Sequence, residues 1–514
     1  MSLPSGKSPE HSVAVETFRG TLWNHAGKLV EYGAMYVISV FVARGLGVEQ
    51  NGEFAALVSF SQLLLVAASF GLETSLNKFI PQLEKTTGID QTRYLFRRVI
   101  LLRILLYLAV AFFGIALHTT IEIEALSSLE PYLFLLFLYT ALRAITPLFS
   151  ILLTAQLKIA LSSRINVLTR LVELAGVLFL WSSGMSIVGL FALFIGTSIV
   201  QIVAFLVLSR HNIFGTERPA SIHPLITFGS IFWVNTIVDF FLGRQGDILF
   251  LRTLLSSPTY ASLYDVAFSV AQLAFLGTTI GFSGITLATF ARLSGKQRGE
   301  IDDFYLFLVR LTSLLTIPLS AFLLVNPSSV LSALYPSGFS EAAVLIQGMV
   351  SFRIVARLLG GGENAEFLLA KGMVSRLVVV SIVGASVNVI LNLILIPLWM
   401  GVGAVIAGGF GNLVANILAW RLVFSVSHLR LQVTFWTKLV AVCIAASSIV
   451  SFMKIGEGAV LLLGQGTVFL AVFAGLMAVV KPFGVNDMSW FGRMNVRIVR
   501  ILKPFTSHVT EGGT

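Results

Sequence analysis

Charged side chains recur inside runs that are otherwise apolar, and their spacing sorts them into groups. Arg353 and Arg357 stand one helical turn apart, and the stretch "GGGENAE" (360–366) brings Glu363 and Glu366 directly after them. Lys28 and Glu31 are three residues apart, as are Arg170 and Glu173, so each pair shares one helix face. Asp239, Arg244 and Asp247 gather around "FLGRQGD" (241–247). Arg143 stands alone in the middle of an apolar run, and Arg44 closes another. A guanidinium offers a planar fork of donors suited to phosphate or carboxylate. Carboxylates in the same setting accept bonds from sugar hydroxyls, or hold a proton or a sodium ion. The bland alternative for every close pair is an internal ion pair. For Arg44 it is an interfacial anchor whose charge snorkels to headgroups.

Other chemistries find no residues. There is one cysteine, Cys443, which excludes an internal disulfide and a cysteine-based metal site. The seven histidines form no cluster, and no Gly-Lys phosphate loop occurs. The reading therefore names no catalytic residue and no metal site. The single cofactor it allows is a coupling ion, H+ or Na+.

The elements that must position these charges are membrane helices. The chain has 514 residues, 56% hydrophobic and 12% charged, with mean hydropathy +0.89. A soluble domain carries about 25% charged residues. Fourteen spans are expected, at 22–43, 54–78, 95–117, 132–154, 163–181, 187–208, 225–243, 259–290, 301–325, 341–369, 375–397, 402–420, 435–453 and 459–480. The class is all-α and polytopic, because the runs are too long and continuous for barrel strands.

Loop charge supports the count. With the N-terminus inside, the inner segments hold 24 Lys and Arg and the outer segments 4. That asymmetry places both termini on the cytoplasmic side of the cell membrane. It also accounts for the net charge of +10 without invoking nucleic acid as a partner. The first twenty residues lack a signal-peptide pattern, so the first span is expected to stay attached. The tail "RMNVRIVRILKP" (493–504) is basic and amphipathic, and suits the anionic inner leaflet or a solvated end equally.

A repeat organises the spans. "RGLGVEQNGEFAALVSFSQL" (44–63) parallels "RTLLSSPTYASLYDVAFSVAQL" (252–273), and "AQLKIALSSRINVLTRLVELAG" (155–176) parallels "AKGMVSRLVVVSIVGASVNVILNL" (370–393). Spans 1–6 and 7–12 are then two lobes related by an axis along the membrane normal, as in alternating-access transporters. The expected layout is an N-terminal segment 1–21, an N-lobe 22–210, a C-lobe 225–425, two added helices within 435–480 and a basic tail 481–514. Arg143 falls opposite Arg357 in this register. Both are expected to line a cavity, held apart or paired with acids such as Glu366 or Glu173.

The same residues resemble a known family. "VARGLGVEQNGEFAALVSF" (42–60) is similar to the first-helix ending of polysaccharide transporters, the O-antigen and exopolysaccharide flippases of the multidrug/oligosaccharidyl-lipid/polysaccharide exporter superfamily. Ala43, Arg44, Leu46, Gly47, Gly52 and Phe54 match, and Asn51 replaces a tyrosine. "SFGLETSLNKFIP" (69–81) resembles the family's second-helix ending. "VNVILNLILIPLWMGVGA" (387–404) resembles its eleventh-to-twelfth helix signature through Asn388, Asn392, Pro397, Gly403 and Ala404. Met400 departs from the family glycine, with Gly401 one place late, so that turn is expected to differ in shape.

The resemblance implies a flippase that carries a lipid-linked oligosaccharide across the cytoplasmic membrane by alternating access through a cationic central cavity. Its partners would be that substrate, membrane lipids and glycan-polymerising membrane proteins. Two relatives in the superfamily supply alternatives: a multidrug antiporter, and a flippase for the lipid-linked peptidoglycan precursor. The surplus of arginines suits an anionic substrate better than a cationic drug. A membrane glycosyltransferase would need a catalytic acid pair and a sizeable external loop, and no loop here is long. A scaffold for synthesis enzymes would leave the intramembrane arginines unexplained.

Overall fold

The structure is a computed structural model. It describes residues 9–481 apart from 87–88, 121–123, 157, 216–217, 276–285, 287–288, 291–292, 294–297, 428, 430–432 and 453–457. The basic stretch 493–504 lies outside the described residues. Among those described there is no strand. Eleven helices among the described residues are long and apolar enough to cross a membrane.

Two compact units divide at Ser262/Leu263. The first contains α1 (Pro9–Ser69), α2 (Leu72–Thr86), α3 (Ile89–Thr120), α4 (Leu133–Ala155), α5 (Ile159–Ser183), α6 (Ile187–Ile213), α7 (His223–Leu242) and α8 (Arg244–Leu254). The second contains most of α9 (Thr259–Leu273), then α10 (Arg298–Val325), α11 (Pro327–Leu334), α12 (Ala342–Leu358), α13 (Glu363–Ala370), α14 (Val374–Val426), α15 (Val433–Ser451) and α16 (Gly458–Val480). Helices α7 and α8 pack against α1 and α2 and so group with the first unit.

Helix α1 is two helices joined at Gly47, whose φ of 72° and ψ of −178° belong to a region open to glycine almost alone. Its neighbours show that the chain reverses there. Before Gly47, Gly27 lies against Ser163 and Phe41 packs edge-on to Trp181, 5.0 Å between centroids, so this arm runs alongside α5. After Gly47, Phe54 packs edge-on to Phe191 at 5.9 Å, and Leu72 and Leu76 share a buried cluster with Phe205 and Ile213, so the chain now follows α6. Helices α5 and α6 are themselves antiparallel, with Gly176 against Leu193 and Asn166 bonded to Gln201. The stretch between the first two expected spans, which holds Gly45, Gly47 and Gly52, is therefore a hairpin.

A second hairpin breaks α14 at Met400, with φ 52° and ψ −127°. Gly403 meets the Leu395 carbonyl and Gly411 meets Asn388, so the two arms of α14 lie against each other. Divided at the two hairpins, the eleven long helices among the described residues give thirteen segments of crossing length. The eighth expected span is described mainly through α9, and most of its continuation falls outside the described residues. The tenth span is interrupted, as its three glycines suggest: α12 stops at Leu358, and α13 starts at Glu363 after Gly360 (φ 94°) and Gly361 (φ 53°).

Packing follows the lipid-solvent rule. Phe96, Phe149 and Phe205 meet in a buried core in the first unit, and Phe290, Phe304 and Phe367 do so in the second. Phe112, Phe134, Val200 and Val479 are exposed on the long apolar helices, where acyl chains would cover them.

Candidate functional site

A polar pocket of about 200 Å³ opens among α1, α4, α5 and α6 of the first unit. Glu31 enters from α1 and Arg143 from α4, together with Thr146, Pro147 and Ser150. Helix α5 adds Asn166, Thr169, Arg170 and Glu173, and α6 adds Gln201. Four of the residues singled out by type and spacing therefore meet in one place. The six uncharged or amide-bearing members were not singled out. All but Pro147 carried a signal all the same, as amides and hydroxyls in runs that are otherwise apolar.

The charges of the pocket are unequal in status. Arg170 and Glu173 form the expected i,i+3 ion pair at 2.5 Å, and Glu173 also accepts a bond from Thr197 at 3.3 Å. That pair is self-neutralising. Arg143 and Glu31 each make no hydrogen bond or ion pair among the described residues. Arg143 lies about 15 Å from the first residue of α4 and about 18 Å from its last. It is too deep to snorkel, and a charge at such depth faces a cavity or a partner. Gln201 is 6% exposed; its amide donates to Asn166 Oδ1 at 3.0 Å, while its Oε1 is buried without a donor. The pocket thus offers an open guanidinium, an open carboxylate and an open amide oxygen. It fits a small group that carries both an anion and hydroxyls.

The other expected residues lie elsewhere. Lys28 is exposed and does not line the pocket. Arg44 is exposed beside the Gly47 hairpin. Asp239 is exposed at the end of α7 and accepts a bond from Asn235 at 2.9 Å. Across the Gly243 joint, Arg244 is half-buried and Asp247 is buried in the first turn of α8.

In the second unit, Arg357 and Glu363 are both buried and form an ion pair of 2.7 Å across the glycine break. Arg357 also donates to Thr312 on α10 at 2.5 Å. The partner is Glu363 rather than the expected Glu366 or Glu173, because the turn at Gly360–Gly362 folds the start of α13 back onto Arg357. A Cβ at Gly361 would collide with that guanidinium. Glu366 is half-buried one turn further on, bonded to Thr286. Arg353 is half-buried, with Gln272 as its hydrogen-bond acceptor at 3.0 Å.

Residues 17–294, more than half of the chain, match the family described as polysaccharide biosynthesis protein. No curated protein sequence matches. Among solved structures, the chain resembles lipid II flippase MurJ in an inward closed conformation, with TM-score 0.65, 14% identity, and 91% of this chain and 98% of that one covered. It resembles an inward-facing multidrug resistance MATE family transporter of the MOP superfamily, with TM-score 0.57, 13% identity, and 77% and 93% covered. It also resembles a variant of the Vibrio cholerae MATE transporter VcmN, with TM-score 0.55, 16% identity, and 80% and 98% covered. At such identities the likeness is one of fold. The all-helical, multi-pass fold and the matched sequence agree: the chain belongs to the polysaccharide biosynthesis protein family.

Proposed function

We propose that this protein is a flippase that moves a lipid-linked oligosaccharide from the inner to the outer leaflet of the cytoplasmic membrane. One observation carries the reading: Arg143, deep in a membrane helix, lines a polar pocket and pairs with no carboxylate among the described residues. An anionic, hydroxyl-bearing head would give Arg143 a partner and present hydroxyls to Glu31 and Gln201. The family match to polysaccharide biosynthesis and the fold likeness to a lipid II flippase support the same chemistry. The head would pass through the protein while the lipid tail stays in the bilayer, with the site open to each membrane face in turn. Both termini would lie in the cytoplasm. Glu31, a carboxylate in the same pocket with no pair among the described residues, is where a coupling proton or sodium ion would act.

Two measurements test the reading. A strain depleted of the protein should accumulate lipid-linked repeat units on the cytoplasmic side, and purified protein in proteoliposomes should flip them. Arg143→Ala should abolish flipping at matched protein levels, and Arg143→Lys should restore it in part, since an ammonium lacks the planar fork. Unchanged glycan export together with lost drug resistance in the depleted strain would give the multidrug antiporter instead.

A further inference from the structure

The charges inside the membrane spans separate into two kinds. Arg170 has Glu173, Arg103 has Glu73 at 2.9 Å, and Arg357 has Glu363. Each of these arginines is neutralised within the protein. Among the described residues, neither Arg143 nor Arg353 has such a partner.

Arg353 lies in the membrane span Ala342–Ala370. Its guanidinium carbon is 4.7 Å from the centre of the Phe268 ring and 5.2 Å from that of Phe275, and its Nη1 donates to Gln272 Oε1 at 3.0 Å. These three contacts come from one face of α9 and the turn that follows it. The phenol of Tyr264, on the same helix, lies nearby. Aromatic faces stabilise a cation but do not neutralise it. No carboxylate pairs with Arg353 among the described residues, and the sequence from 276 to 299 contains no Asp or Glu. One helical turn away, Arg357 shows that the same helix accommodates a counter-charge where one is wanted.

An intramembrane cation held without a counter-charge is costly. Here the surroundings go further and fix its orientation. The two rings restrict the guanidinium, and Gln272 takes one of its five N–H donors, leaving donors free in a set geometry. We infer that Arg353 contacts an anionic group of the transported substrate, and that Arg357 is structural. The inference rests on the flippase reading above and assigns one substrate contact within it. The anion is either the phosphate of the lipid carrier or the carboxylate of an acidic sugar, and both suit the same fork.

The test uses the full-length protein in nanodiscs with three soluble probes: a short-chain prenyl diphosphate, a hexuronate and a neutral hexose. Arg353→Gln should weaken binding of at least one anionic probe about ten- to a hundredfold, the range expected for lost bonds to a charged group. Loss with the diphosphate identifies the lipid phosphate, and loss with the hexuronate an acidic sugar. Binding of the neutral hexose and the thermal midpoint should not move, and Arg353→Lys should fall between. The double variant R357M/E363Q should bind all three probes as the wild type does. The proposal is overturned if Arg353→Gln binds both anions with wild-type affinity, if its only change is a lower thermal midpoint, or if it flips lipid-linked glycan at the full rate. A wild-type protein that flips no lipid-linked glycan while Arg353→Gln still loses anion affinity would sink the flippase reading and keep the anion site.

Discussion

Arg357 and Glu363 close a buried ion pair across a break in their membrane span, with Nη2 2.7 Å from Oε2 and Thr312 capping the guanidinium from α10. The pair joins α12 to α13 where backbone hydrogen bonding is interrupted. Asn364 reinforces the joint by donating to the Leu359 carbonyl at 2.8 Å and accepting from Tyr305 at 2.5 Å. Removing one charge strands the other. Arg357→Ala should cost about 3–5 kcal/mol, whereas R357M/E363Q should recover most of it. Thermal unfolding of the purified variants checks both, and an Arg357→Ala protein as stable as the wild type would refute the structural role.

Met400 holds φ 52° and ψ −127°, the angles of the first central residue of a type II′ turn, a place dominated by glycine. Its side chain is 42% exposed, so little packing is lost on truncation. Met400→Gly should raise stability by about 1 kcal/mol, within the usual cost of a residue held in such a region. A lower thermal midpoint for this variant would show that the methionine side chain contributes more than its backbone strain costs.

Gly47 gives the reverse case. A Cβ there would meet no atom within 4 Å, so the penalty of Gly47→Ala comes from the backbone alone. About 1–3 kcal/mol is expected, together with poorer membrane accumulation. Gly52 differs, because a Cβ there would strike the Pro258 carbonyl and displace α1 from its neighbour. Comparing the two alanine variants by yield and thermal midpoint separates strain from collision.

Gln201 is tested through its unpaired oxygen. Gln201→Met gives up one hydrogen bond to Asn166, worth about 0.5–1.5 kcal/mol, and removes a buried acceptor that has no donor among the described residues. Stability should therefore change little, while flipping of lipid-linked glycan should fall several-fold. Full flipping activity at matched protein levels would remove Gln201 from the substrate pocket.

The sequence by itself determined the membrane class, the helical spans, the Gly47 joint and the Arg170–Glu173 pair. All of these rest on local or periodic information. An apolar run of about 20 residues has one solution in a bilayer, and residues three apart share a helix face whatever else surrounds them. Tertiary structure decided the rest, because the remaining partners are distant in sequence. Asn166 finds Gln201 35 residues away, and Arg353 finds Gln272 81 residues away. Nothing local distinguishes Glu363 from Glu366 as the partner of Arg357. The choice follows from how Gly360 and Gly361 turn the chain with positive φ and bring the start of α13 back to the guanidinium. Whether an intramembrane arginine is neutralised or left open is a property of its surroundings. Spacing therefore nominated Arg143, Arg353 and Arg357 alike, and only the packed helices separated the paired one from the two left open.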